Sequence, residues 1–272
     1  SMVGDPVKGQ ELIARFQQYA GWIVMATAPF LGASIDKLGP RKWWLASIVM
    51  LMVPLIASLW WAKPDGSGLS IVATMSIAMV ANVLFAWSEV LHNSMLIRAA
   101  GLKGAHAASG LALSLGNFFS VLALGFTAWA FALPGTVDWS WVPEAPLFGL
   151  DTALHEQERV VALMAAGLLA LGSIPIFLFT PDAPRTGVPV LSAFRQGASD
   201  LLGMVRTVGH FKDAAIYLAS RMFFFDGMNG VLFFFGVLAV GVMKWVALDL
   251  LITGIILSIV AVGGGMVGRW LD

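Results

Sequence analysis

Asn82, Glu89 and Asn93 stand seven and four residues apart in an otherwise mostly apolar stretch. On a helix that spacing keeps all three within about 40° of one face, and His92 flanks it. A carboxylate, two amides and an imidazole on one stripe suit proton coupling, or capture of an ammonium group on a polar solute. The competing reading is structural: a Glu89–His92 pair or an Asn82 hydrogen bond bracing one helix against another. A second set lies in Phe224-Phe225-Asp226-Gly227-Met228-Asn229-Gly230. Arg221 comes five residues before Asp226, which is about 140° round a helix, so the two are not expected to pair. Arg221 is expected to reach out along its own stem to the membrane surface. Asp226 has no such exit and needs a buried partner or water. Gly227 and Gly230 are expected to loosen the helix there, as interrupted helices do at transporter binding sites. Asn117 sits on a stripe of small residues with Ser109, Gly116 and Ser120, where close helix packing competes with ligand contact.

The elements that position these groups must lie in lipid. Hydrophobic residues make up 58% of the chain and charged residues 12%, with a mean hydropathy of +0.83. Soluble domains carry about a quarter charged residues. The net charge of zero argues against a nucleic-acid partner, and the absence of Cys excludes disulfides and thiol catalysis. No phosphate-binding loop, His-Glu-x-x-His or Gly-x-Ser-x-Gly pattern occurs. Neither an enzyme, nor a cofactor, nor a metal site is therefore expected.

A spanning helix needs roughly 20 mainly apolar residues. Seven segments meet that description: 12–35, 43–62, 69–97, 105–133, 159–180, 214–241 and 246–268. Their connections are rich in Pro and Gly or charged. Residues 134–158 carry five acidic residues with Trp139 and Trp141, which suits an extracytoplasmic loop. Much of 181–213 reads as an amphipathic segment on the membrane surface. Alternating the loops puts ten Lys and Arg on one side, including Lys37, Arg41, Lys42, Arg98 and Arg185, against five on the other. The positive side is cytoplasmic. That leaves the N-terminus outside, which implies a further span before it.

The loop at 32–42 has its own logic. Gly32 admits a neighbouring helix, Gly39 permits a tight turn, and Arg41 and Lys42 hold the loop in the cytoplasm. Asp36, with Lys37 after it, can take a helix N-terminus or an arginine, for which Arg98 is a plausible partner. The same Gly-x-x-x-Asp spacing returns at Gly268 and Asp272. A generic basic turn would explain one copy more easily than two.

At these residues the chain resembles the major facilitator superfamily, whose loop between spans 2 and 3 reads Gly-x-x-x-Asp-Arg-x-Gly-Arg-Arg. Gly32, Asp36, Gly39, Arg41 and Lys42 match, while Lys37 replaces an arginine and Pro40 stands where a basic residue is common. Within the superfamily, Ala28-Pro29, the run His92-Asn93-Ser94-Met95-Leu96, the run Ser109-Gly110, and Phe225-Asp226-Gly227 resemble the vacuole-effluxer-like branch. That branch includes fungal amino-acid exporters and bacterial relatives.

The resemblance implies an all-α integral membrane protein, an incomplete helical bundle holding spans 2–8 of about twelve. Residues 1–180 would form most of an N-terminal bundle, 181–213 a cytoplasmic central loop, and 214–272 the start of a C-terminal bundle. The function implied is secondary transport of a small polar metabolite, amino acids among the candidates, by proton-coupled alternating access. Glu89, His92, Asn93, Asp226, Asn82, Asn229 and Asn117 would line its pathway. The loop residues, with Arg98, Gly268 and Asp272, would latch the gate. Its partners would be the solute, protons, the bilayer and the missing spans of its own full-length chain, and its place a bacterial inner membrane. A sugar–cation symporter of the same superfamily and a non-transporting receptor or scaffold are the alternatives.

Overall fold

Long apolar runs separated by Pro, Gly and charge give a chain of helices. The computed structural model describes residues 6–271, and within them the helices are α1 (Pro6–Leu38), α2 (Lys42–Ser58), α3 (Ile71–Thr127), α4 (Glu156–Phe179), α5 (Val190–Thr207), α6 (Lys212–Gly241) and α7 (Ala247–Leu271). α2 tightens into a 3₁₀ turn at Leu59–Trp61, and α3 runs on through a π-helical turn at Ala128–Ala132. No strand occurs among the described residues. Each of the seven apolar segments read from the sequence is helical.

Four helices among the described residues are long and apolar enough to cross a membrane: Lys42–Trp61, Ile71–Ala132, Glu156–Phe179 and Leu248–Val267. The second is 62 residues long, where one crossing needs roughly 20. Ser70 caps its start, accepting from Ala73 N. The connection expected around residues 98–104 is reduced to one residue. At Gly101, φ is 71° and ψ 163°, a backbone region that only glycine occupies comfortably, and helix continues on both sides. α1 and α6 fill the expected segments as helices but are not among the four. Lys8, Glu11 and Arg15 load the first half of α1 with charge.

The core forms where α1, α2 and the first half of α3 meet. Leu45, Ile48, Val49 and Met52 recur at helical spacing down one face of α2, and they pack with Leu31 and Ile35 of α1 and with Leu84, Leu91 and Met95 of α3. Ile176 and Leu169 of α4 close over this cluster. Trp87 Nε1 donates to Thr27 Oγ1 at 2.9 Å, tying α3 to α1 inside the apolar layer.

The second half of α3 carries α7. Ser114 is buried there and its Oγ lies 3.2 Å from Val262 O. At Gly265 a Cβ would stand 2.5 Å from Ser114 Oγ and 3.1 Å from Gly110 O, so these helices approach as only small residues permit. The outer surface keeps many large apolar side chains exposed, among them Met50, Leu51, Phe119 and Leu171, as a lipid-facing surface must.

At the opposite end from the 32–42 loop, the long connection folds on itself. Trp139 and Trp141 stack with ring centres 5.2 Å apart, and Trp129 Nε1 donates to Trp141 O at 2.8 Å. The Arg159 guanidinium lies 4.8 Å over the Trp60 ring, donates to Trp60 O at 2.7 Å and meets Glu156 at 3.3 Å.

Candidate functional site

The 32–42 loop turns at Gly39, whose φ is 88° and whose N donates to Ile35 O at 3.1 Å. A side chain there would also run into the carbonyl of Pro184, so the position needs glycine for conformation and for space. Gly32 faces Val90 of α3, but a Cβ built on it would meet that side chain at 3.5 Å, an ordinary contact that an alanine could make.

The charges of the loop are all engaged, though not as the sequence suggested. Asp36 Oδ1 accepts from Arg41 at 2.6 Å, within the same loop. Arg98, the expected partner, is exposed and makes no ion pair among the described residues. The turn at Gly39 brings Arg41 back to Asp36. Lys37 Nζ reaches Asp200 of α5 at 2.6 Å. Lys42 Nζ donates to Phe177 O at 2.8 Å, a cation set on the C-terminal carbonyls of α4.

The segment after α4 then wraps this loop. Asp182 accepts from Arg41 N at 2.8 Å and from Lys42 N at 3.3 Å. α2 starts at Lys42 without a side-chain cap of its own, so Asp182 supplies the cap from 140 residues away. Thr186 Oγ1 donates to Lys37 O at 2.6 Å. α5, expected to be an amphipathic segment on the membrane surface, lays its small residues against the end of α1: Ala193 and Gly197 are buried, Gly197 over Ser34. Its large apolar residues Leu191, Leu202 and Met204 stay exposed. Asp182, Thr186, Gly197 and Asp200 escaped the sequence reading. The signal was the presence of aspartates, Asp182 and Asp200 among them, in a segment otherwise marked by arginines.

The polar face of α3 divides. Glu89, His92 and Asn93 are exposed, on the side of the helix away from Leu84, Leu91 and Met95. His92 and Asn93 line a groove of about 450 Å³, together with Ser109, Gly172, Pro175 and Thr180, between the two halves of α3 and the end of α4. Glu89 lies outside that lining. Asn82 donates to Gln17 of α1, the interhelical role that competed with a site in the sequence. Asn117 is spent within its own helix, donating to Leu113 O at 2.9 Å.

On α6, Asp226 is exposed, and Arg221 is 3.4 Å from Tyr217 OH and 5.3 Å over the Phe225 ring rather than paired with Asp226. The helix runs unbroken through Gly227 and Gly230, against the expected loosening. Each glycine costs a helix only about 1 kcal/mol. α6 makes no extended packing against α3 among the described residues, so Asp226 and the Glu89 face are not brought together. Asp272, and the side chains of Asn229 and Gly268's surroundings, lie outside the described residues. No cluster of three His, Asp or Glu that could hold a metal occurs among the described residues.

Comparison with known families gives a match. The family described as vacuole effluxer Atg22 like covers residues 103–271, more than half of the chain. No curated protein and no solved structure matches. The family's description names a vacuole, so the expected bacterial inner membrane draws no support from it.

Proposed function

Because this chain belongs to the vacuole effluxer Atg22-like family, we propose that it is a secondary active transporter of the major-facilitator type, moving a small polar metabolite across a membrane by alternating access. Its crossings are α1, α2, the two halves of α3 divided at Gly101, α4, α6 and α7. Residues 1–180 belong to one half, 181–213 to the link, and 214–272 to the other half. The multi-pass placement rests on the four apolar helices together with the family.

The observation that carries the reading is the way the 32–42 loop is fastened. Lys37–Asp200 and Asp36–Arg41 are partly exposed ion pairs at 2.6 Å, and such pairs are individually weak, worth about 0–1 kcal/mol. Asp36–Arg41 shapes the loop itself, while Lys37–Asp200 ties the end of α1 to the link, and a fastener of that strength can hold the link there and still release it as the two halves rock. The small-residue crossing of α7 over Ser114 supplies a contact between the halves without bulky interdigitation.

The solute path runs along the exposed face of α3. His92 and Asn93 meet it in the groove, and Glu89, one turn further in, is the group for proton coupling or for an ammonium. Asp226, exposed on α6 and apart from the α3 face here, would join the path only as the two halves move. Amino acids are the solute class that the branch resemblance favours. The test is flux in vesicles holding the full-length protein, with Glu89→Gln and Asp226→Asn beside the parent. Loss of pH-dependent uptake or efflux in both supports the path. Unchanged flux removes these residues from it. Cation-stimulated glycoside uptake would indicate the sugar-symporter branch, and a protein that moves no solute but retains a protein partner would indicate a scaffold.

A further inference from the structure

Beside the fastened loop the surface opens into a cleft of about 500 Å³, lined by Leu38, Pro40, Trp43, Trp44, Arg185 and Val188 among others. At its back, Trp44 packs edge-on against Phe194 of α5 with ring centres 6.4 Å apart. Its front is open: Trp43 is 69% exposed in the first turn of α2, a helix long and apolar enough to cross the bilayer. Tryptophan at such a helix end belongs at the boundary between headgroups and acyl chains. From Trp43 an exposed stripe continues down α2 at helical spacing through Ser47, Met50 and Pro54. At the cleft's rim stands Arg185, exposed and without an ion pair among the described residues, on the face that carries most of the chain's Lys and Arg.

A cation at the water side, an indole at the boundary and an apolar stripe below it match one kind of molecule. We propose that this cleft seats an anionic phospholipid, with its phosphate on Arg185 and one acyl chain along Trp43, Ser47, Met50 and Pro54. A free anion would find a single cation over the apolar floor of Leu38, Pro40 and Val188, with nothing for that floor to hold. A lipid satisfies both, and basic pockets at the cytoplasmic ends of membrane helices take anionic headgroups. Seated there, the lipid spans the 32–42 loop and the strand of chain leading into α5, and adds its own contacts to their fastening.

The test uses full-length protein in bilayers whose phospholipids carry brominated acyl chains, which quench nearby indoles. The Trp43 contribution is isolated as the difference between the parent and Trp43→Phe. Brominated phosphatidylglycerol is expected to quench that contribution at about one fifth of the mole fraction needed with brominated phosphatidylcholine, the effect of one cation near an anionic surface. Arg185→Gln should erase the preference and Arg185→Lys keep it. Arg195→Gln, an exposed cation of α5 outside the cleft, should leave it intact. Equal quenching by the two lipids overturns the proposal, as does a preference that survives in Arg185→Gln. So does a preference abolished by millimolar inorganic phosphate, which would mark a site for the free anion.

Discussion

Gly197 of α5 lies so close to Ser34 of α1 that a Cβ at 197 would stand 2.8 Å from the Ser34 nitrogen and 2.9 Å from its Oγ. Ser34 is fully buried, with its Oγ donating to Phe30 O at 2.6 Å, so it has no room to withdraw. One turn further along both helices, Lys37 meets Asp200. The crossing at Gly197 therefore sets the distance at which the ion pair forms.

Replacing that glycine should separate the helices. Gly197→Val is expected to cost about 1–3 kcal/mol, the usual range for forcing bulk into a packed contact. The thermal midpoint of the detergent-solubilised protein should fall, and protease should cut residues 190–207 faster than in the parent. A midpoint and cleavage rate equal to the parent's would mean that α5 does not rest on α1.

Asp182 acts as a cap across the chain, and its removal should be felt at α2. Asp182→Ala leaves Arg41 N and Lys42 N without their acceptor and is expected to cost about 0.5–2 kcal/mol. Asp182→Asn keeps an acceptor and should recover most of that. Hydrogen exchange at the amides of residues 41 and 42 is the sensitive measurement: faster exchange in Asp182→Ala alone supports the cap.

At Gly101 the backbone itself makes the prediction. With φ at 71° and ψ at 163°, alanine is strained by about 1–3 kcal/mol, although nothing stands within 4 Å of its Cβ. Gly101→Ala should therefore lower stability without any steric partner to relieve it, and no second-site truncation should rescue it. A neutral Gly101→Ala would show that the kink is not held there.

Acid affects the turn between α2 and α3 in a definite direction. Asp65 accepts from Ser67 N and from Ser67 Oγ, both at 2.9 Å, and these bonds, the backbone one foremost, with a smaller contribution from Lys63, hold its carboxyl below the ordinary 3.8. A carboxylate lowered on folding adds stability above its unfolded pKa and loses it as pH falls through the folded one. The loss therefore occurs below pH 3.8. Carbon-detected NMR titration should place Asp65 under that value, with Ser67→Ala moving it partway back. A midpoint at or above 3.8 would contradict the turn's geometry.

The seven helical segments, the tight turn at Gly39 and the separation of Arg221 from Asp226 were legible from residue type and spacing. Each rests on local physics: apolar length, backbone permission, or the 100° step of a helix. The reading that Gly227 and Gly230 would open α6 misjudged the balance. Opening the helix would strip backbone groups of their partners, which costs more than the roughly 1 kcal/mol that each glycine loses by staying helical.

The partners of polar groups were legible only in part. A deep-set carboxamide such as Asn82 announces a need for a hydrogen bond, but the sequence cannot choose Gln17, 65 residues away, over an empty pathway. Asp36 could have met any nearby cation, and the turn's return delivered Arg41 rather than Arg98.

The sequence by itself determined that this is a helical chain for lipid and where its glycine turn lies, because hydrophobicity and backbone freedom act residue by residue. Only the tertiary structure decided that Asp182 caps α2, that Asp200 holds Lys37, and that α5 lies on α1. Those contacts join residues about 140 to 163 apart in the chain. Their energy depends on distances of a few ångström that no spacing along the sequence encodes.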